Sequence, residues 1–99
     1  MENDERRIRV RLDADYYASP LWIYDEYLAD YVNTPLDSFP LSDELKSRLA
    51  AWAAVFDRLP ETGYEFSTES AEHDFEREGR LILAAVRAEL DSSFVVDRV

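Results

Sequence analysis

The sequence predicts an α+β domain, a small three-stranded sheet with a two-helix hairpin packed on one face, in the order β-β-α-α-β. Three observations lead there. "RIRVRLD" alternates apolar and charged residues, which is the period of a half-buried strand. Two long stretches, from Leu41 to Pro60 and from about Ser70 to Leu90, carry apolar residues at helical spacing. "SFVVDRV" near the end is rich in β-branched residues and reads as the third strand.

In the first strand Ile8, Val10 and Leu12 share one face, and Arg7, Arg9, Arg11 and Asp13 share the other. Four of the 11 bases fall in residues 6 to 11, so the outer face of this strand is a concentrated basic feature. In an acidic chain such a face pairs with carboxylates on neighbouring strands; a basic binding stripe is the sharper reading. "ADYYASP" carries turn residues. "LWIYDEYL" follows, and Leu21 to Asp25 is expected as a second strand, antiparallel to the first, with the first strand central. "NTPLDSFPL", with its prolines, reads as irregular.

Ser42 is a favourable N-cap for the first helix, and Asp43 and Glu44 complement the positive end of its dipole. Leu45, Leu49, Trp52, Ala53, Phe56 and Leu59 form its apolar stripe, and Pro60 ends it. The second helix presents Phe75, Gly79, Ile82, Leu83, Val86 and Leu90. A glycine inside a helix costs about 1 kcal/mol relative to alanine. Gly79 is therefore expected to admit a bulky side chain, with Trp52 the candidate.

Composition narrows the function. A chain of 99 residues is one domain, with residues 1 to 5 expected to fray. A net charge of -11 disfavours nucleic acid and anionic membranes, because phosphate contacts need a basic surface. Negative charge suits solubility, and it also steers a basic protein inward. No cysteine is present, which removes disulfides, thiolate metal sites and cysteine nucleophiles. The charged start has no apolar run of signal-peptide length, and no stretch is long enough to span a membrane, so a cytoplasmic protein is expected.

Chemistry is sparse. Two glycines make no phosphate-cradling loop. His73, with Glu69 and Glu76 on one helical face, reads as solvated, because a metal site needs a further histidine or acid from elsewhere. No catalytic residue and no cofactor is assigned.

The stretch "DYYASPLWIYDEYLADYV" stands out, because six aromatic residues lie among acids. Trp22 and some tyrosines are expected to complete the core. Tyr27 and Tyr31 are four apart, as on one side of a helical turn. Tyrosine carries binding energy at interfaces. Tyr24, Asp25, Tyr27, Asp30 and Tyr31 are therefore the candidate surface for a basic partner.

"DYYASPLWIYDE", "PLSDELKSRLAAW" and "FEREGRLILAAVRAEL" together resemble a group of short acidic proteins from high-GC Gram-positive bacteria. Those proteins share a D-Y, P-L-W, P-L-S-x-E-L…W and E-G-R layout. The resemblance covers residues 8 to 90 and implies a single domain; it carries no catalytic residue over. The extra tyrosines mark the aromatic stretch as particular to this chain. The reading is a non-enzymatic protein-interaction module, such as an immunity protein or antitoxin, that binds a basic partner. The alternative is a small enzyme or ligand-binding domain using carboxylates and tyrosines, with a pocket lined by Tyr16, Tyr24 and Asp25 between the sheet and residues 33 to 41.

Overall fold

The computed structural model describes residues 7–63 and 65–98. The expected fraying of residues 1 to 5 lies outside them. The elements run β1 (Ile8–Leu12), β2 (Leu21–Asp25), β3 (Asp30–Asn33), α1 (Asp43–Asp57), α2 (Glu69–Glu89) and β4 (Phe94–Arg98). Short 3-10 turns at Leu36–Ser38 and Leu59–Thr62 bracket α1. The α+β class and the expected elements are present, with one correction. The sheet has four strands, in the order β3-β2-β1-β4. The unforeseen strand is β3, which closes a hairpin with β2.

The strand β1 lies inside the sheet, antiparallel to β2 and parallel to β4. The register sets the two faces. Val10 pairs with Ile23 and Val96, and Leu12 pairs with Leu21, so these side chains point toward the helices. Val10, Leu12 and Leu21 are essentially inaccessible to solvent. The opposite face, carrying Arg9, Arg11, Trp22, Tyr24 and Tyr31, has no helix over it.

Both helices form where local chemistry directs. Ser42 Oγ accepts the Leu45 N–H at 3.1 Å and caps α1. Thr68 Oγ1 does the same for Ala71 at the start of α2. Most of each expected stripe is buried: Leu45, Leu49, Trp52 and Ala53 on α1, and Phe75, Gly79, Ile82 and Val86 on α2, while Phe56 and Leu83 are half-buried. The helix α1 ends at Asp57, before Pro60, so the buried Leu59 lies in the 3-10 turn that follows, and the buried Leu90 caps α2. Trp52 stacks on Phe75 with 4.6 Å between ring centroids. Its Nε1 donates to the Phe75 carbonyl at 2.9 Å, so the indole is buried without an orphaned donor. Phe39 and Leu41 enter the same core. Residues 33 to 41 therefore help to cover the sheet, and their apolar side chains fill part of the space where a ligand cleft was expected.

Two expectations about side-chain placement need correction. Trp22 is not a core residue. It lies on the outer sheet face, half-buried, with its Nε1 donating to the Asp13 carbonyl at 3.0 Å. Gly79 is on the buried face of α2, but its neighbour is Arg98. A Cβ on residue 79 would stand 2.7 Å from Arg98 Cζ.

Candidate functional site

The hairpin β2–β3 gathers the five candidate residues but divides them between two surfaces. Asp25 faces Asp30 at the last pair of the ladder, and residues 26 to 29 form the connection. Asp25 Oδ1 accepts the Leu28 N–H at 3.0 Å, and Asp30 Oδ1 accepts the Tyr31 N–H at 2.7 Å. These bonds fold each carboxylate onto its own turn. Ala29 completes the reversal with φ of 55°, in the left-handed region. The expected helical pairing of Tyr27 with Tyr31 is thus replaced by a turn followed by a strand.

At the tip, Tyr27 is 97% exposed and Leu28 61% exposed. Asp25, Glu26 and Asp30 surround them, so the tip has an apolar crest in an acidic setting. Like charges directly opposed across a ladder repel. Asp25, Glu26 and Asp30 together make the potential at this end of the hairpin negative.

Tyr24 and Tyr31 are cross-strand partners lower on the hairpin, on the outer face of the sheet. Their rings meet edge to face at 5.2 Å between centroids. They are not part of an acidic patch. Arg9 lies over the Tyr24 ring at 4.3 Å, and Arg11 lies over the Tyr31 ring at 4.0 Å. Such cation–π contacts contribute about 0.5–1 kcal/mol each at partly exposed sites.

The expected pairing of the β1 arginines with carboxylates is therefore also corrected. The register places Asp97 beside Arg11, but Asp97 pairs with Arg87 at 3.5 Å. Arg87 also donates from Nε to the Val96 carbonyl at 2.8 Å, which ties it to β4. Among the described residues, neither Arg9 nor Arg11 has a carboxylate within ion-pair distance.

Two concave regions away from the hairpin involve aromatic residues. A cleft of about 590 Å³ is lined by Tyr16, Phe56, Phe66 and three glutamates, Glu65, Glu69 and Glu72. Neither Tyr24 nor Asp25, which the ligand-binding alternative placed beside Tyr16, lines this cleft. Tyr16 packs on Phe56 with ring centroids 4.6 Å apart. A groove of about 390 Å³ runs between α1 and α2 beside Trp52, Val55 and Phe75. The ion pair of Arg48 with Glu78, at 2.6 Å, borders it.

His73 is exposed on α2, and its neighbour Glu76 is engaged by Arg98 at 2.9 Å. Among the described residues, no group of three histidine, cysteine or acidic side chains is placed to hold a metal ion. No described helix is long and apolar enough to cross a membrane.

The sequence signal for the candidate tip was the cluster of tyrosines among acids. Leu28 was missed, since a single leucine between two polar stretches gives no periodic signal. The family model described as Serratia CdiI immunity protein-like matches residues 8–97, from the first described strand to the last. No curated protein matches the chain. The match spans nearly the whole sequence, and the chain belongs to this family: it is an immunity module that acts through protein–protein contact.

Proposed function

We propose that this member of the Serratia CdiI immunity protein-like family neutralises a toxin by presenting the β2–β3 hairpin tip to a basic surface on that toxin. Tyr27 is the anchor, with Leu28 beside it. Asp25 and Asp30 supply the acidic rim, and Tyr24 and Tyr31 brace the strands beneath. The observation that carries the reading is the near-complete exposure of Tyr27 between two facing carboxylates. An exposed tyrosine has few side-chain torsions to order on docking and contributes a large contact area. The overall charge of -11 adds long-range attraction for a cationic partner.

A neutralisation assay with the toxin tests this. The paired substitution Tyr27→Ala with Leu28→Ala should abolish protection while leaving the melting temperature unchanged, since neither side chain belongs to the core. Full protection by that variant would place the interface elsewhere on the fold.

A further inference from the structure

Arg9 and Arg11 occupy an unusual electrostatic position. They project from an interior strand onto the open face of the sheet, in a protein with twice as many acids as bases. Each guanidinium lies over a tyrosine ring. A guanidinium carries five N–H donors, more than contact with one ring face can occupy. No hydrogen bond to another described group uses those donors. The nearest candidates to neutralise Arg11 are otherwise engaged or too far away: Asp97 is held by Arg87, and Asp13 interacts with Arg11 through its charge without forming an ion pair. The ring contacts favour positions of the two side chains over this face, and residues two apart on one strand place their side chains roughly 6–7 Å apart.

We propose that this face receives aspartate or glutamate carboxylates from the same protein that the hairpin tip engages. The interface is then bipolar, with acids of the tip against bases of the partner and Arg9 and Arg11 against acids of the partner. This rests on the hairpin reading above and extends it. Tyr24 is only three residues from Tyr27, roughly 10 Å along an extended chain, so one interface of ordinary size covers both surfaces. A folded protein surface can offer one or two carboxylates at the arginines while keeping its bases for the tip. A nucleic acid brings a continuous run of phosphates, which Asp25, Asp30 and the net charge of the protein repel. Such an arrangement supplies orientation and selectivity. A toxin with a basic surface but no matching carboxylate would leave two desolvated guanidinium groups unpaired.

The first test needs no toxin. The Nε–Hε resonances of Arg9 and Arg11 in ¹⁵N-labelled protein are followed during titration with glutarate, a short dicarboxylate, against sodium chloride at equal ionic strength. The proposal expects saturable shifts of both resonances, weakened at least ~10-fold by Arg11→Gln and unaffected by Asp30→Asn. Shifts no larger than those with chloride overturn it. So does tighter binding of a hexathymidylate, which would mark a nucleic-acid surface, or concentration-dependent broadening of these two resonances alone, which would mark contact between copies of the chain.

The second test measures toxin binding. Arg11→Lys keeps the charge but loses the planar fork, and it should weaken binding at least ~10-fold while lowering the melting temperature by no more than the few degrees that one weakened ring contact allows. Unchanged affinity overturns the bipolar interface. If Tyr27→Ala is without effect while the arginine variants bind less well, the hairpin reading fails and the arginine face stands.

Discussion

The guanidinium of Arg98 occupies the space that a side chain on Gly79 would fill. Arg98 points inward from β4 beneath α2, with its side chain 18% exposed, and it pairs with Glu76 at 2.9 Å. Its Cζ is 5.6 Å from the Trp52 ring centroid. The glycine thus lets a charged side chain thread between helix and sheet, with its hydrogen bonds directed to the solvent edge. In the parent, Gly79→Ala should gain about 1 kcal/mol of helix propensity and lose a similar amount by displacing Arg98. In an Arg98→Ala background the same substitution should stabilise by about 1 kcal/mol. Urea melts of the four proteins measure the coupling. Full stabilisation of the parent by Gly79→Ala would show that the two residues are independent.

The two helices are also joined end to end. Glu89, in the last turn of α2, accepts the Ser42 N–H at 2.7 Å and the Ser42 hydroxyl at 2.8 Å. These bonds hold its carboxyl below the ordinary value of 4.5. A depressed folded-state value stabilises the protein above the unfolded value, and that contribution disappears as pH falls through the folded value. Glu78 behaves in the same direction through its bidentate bond from Arg48. Asp13 opposes them, because burial first and the charge of Asp15 second push it up, so its ionisation costs stability as pH rises past 3.8. Glu89→Gln should melt below the parent at neutral pH, and the difference should shrink as pH drops below 4.5. A difference that is constant with pH would exclude the carboxylate as its source. Ser42→Ala removes the cap as well and should cost about 1 kcal/mol.

The turn of the hairpin has a backbone signature that can be checked in isolation. Ala29 sits at φ of 55°, where a Cβ is disfavoured. Ala29→Gly should raise stability by about 0.5–1 kcal/mol and leave toxin neutralisation intact. Destabilisation on thermal unfolding would mean that the turn does not hold this conformation.

These particulars show where sequence reasoning reached and where it stopped. The helices were legible because caps and stripes are local: Ser42, the spacing of Leu45, Leu49 and Trp52, and that of Phe75, Ile82 and Val86 all act within a turn or two. Strand β3 was hidden because its four residues give almost no alternation, and because its turn, "EYLA", contains neither glycine nor asparagine to announce a left-handed residue. The spacing of Tyr27 and Tyr31 then mimicked a helix. Alternation alone sorted the two faces of β1, but which face of β2 turns to the core, and so where Trp22 lies, followed from its register with β1. Partners across the sheet were not legible by alternation, because Arg11 meets Tyr31 instead of the adjacent Asp97 through a register set by the whole fold. The sequence grouped the five candidate residues by their closeness along the chain, but their separation into an acidic tip and a cation-capped pair needed three dimensions.

The binding kinetics of Tyr27→Ala and Asp30→Asn with the toxin test the central claim most directly. Loss of a desolvated anchor acts on dissociation, so Tyr27→Ala should speed release by about 30-fold, corresponding to ~2 kcal/mol, with little change in association. Loss of a rim charge acts on encounter, so Asp30→Asn should slow association, and the deficit should fade as added salt shortens the Debye length below ~10 Å. Parent-like rates for Tyr27→Ala, with its fold intact, would contradict the hairpin tip as the toxin-binding surface.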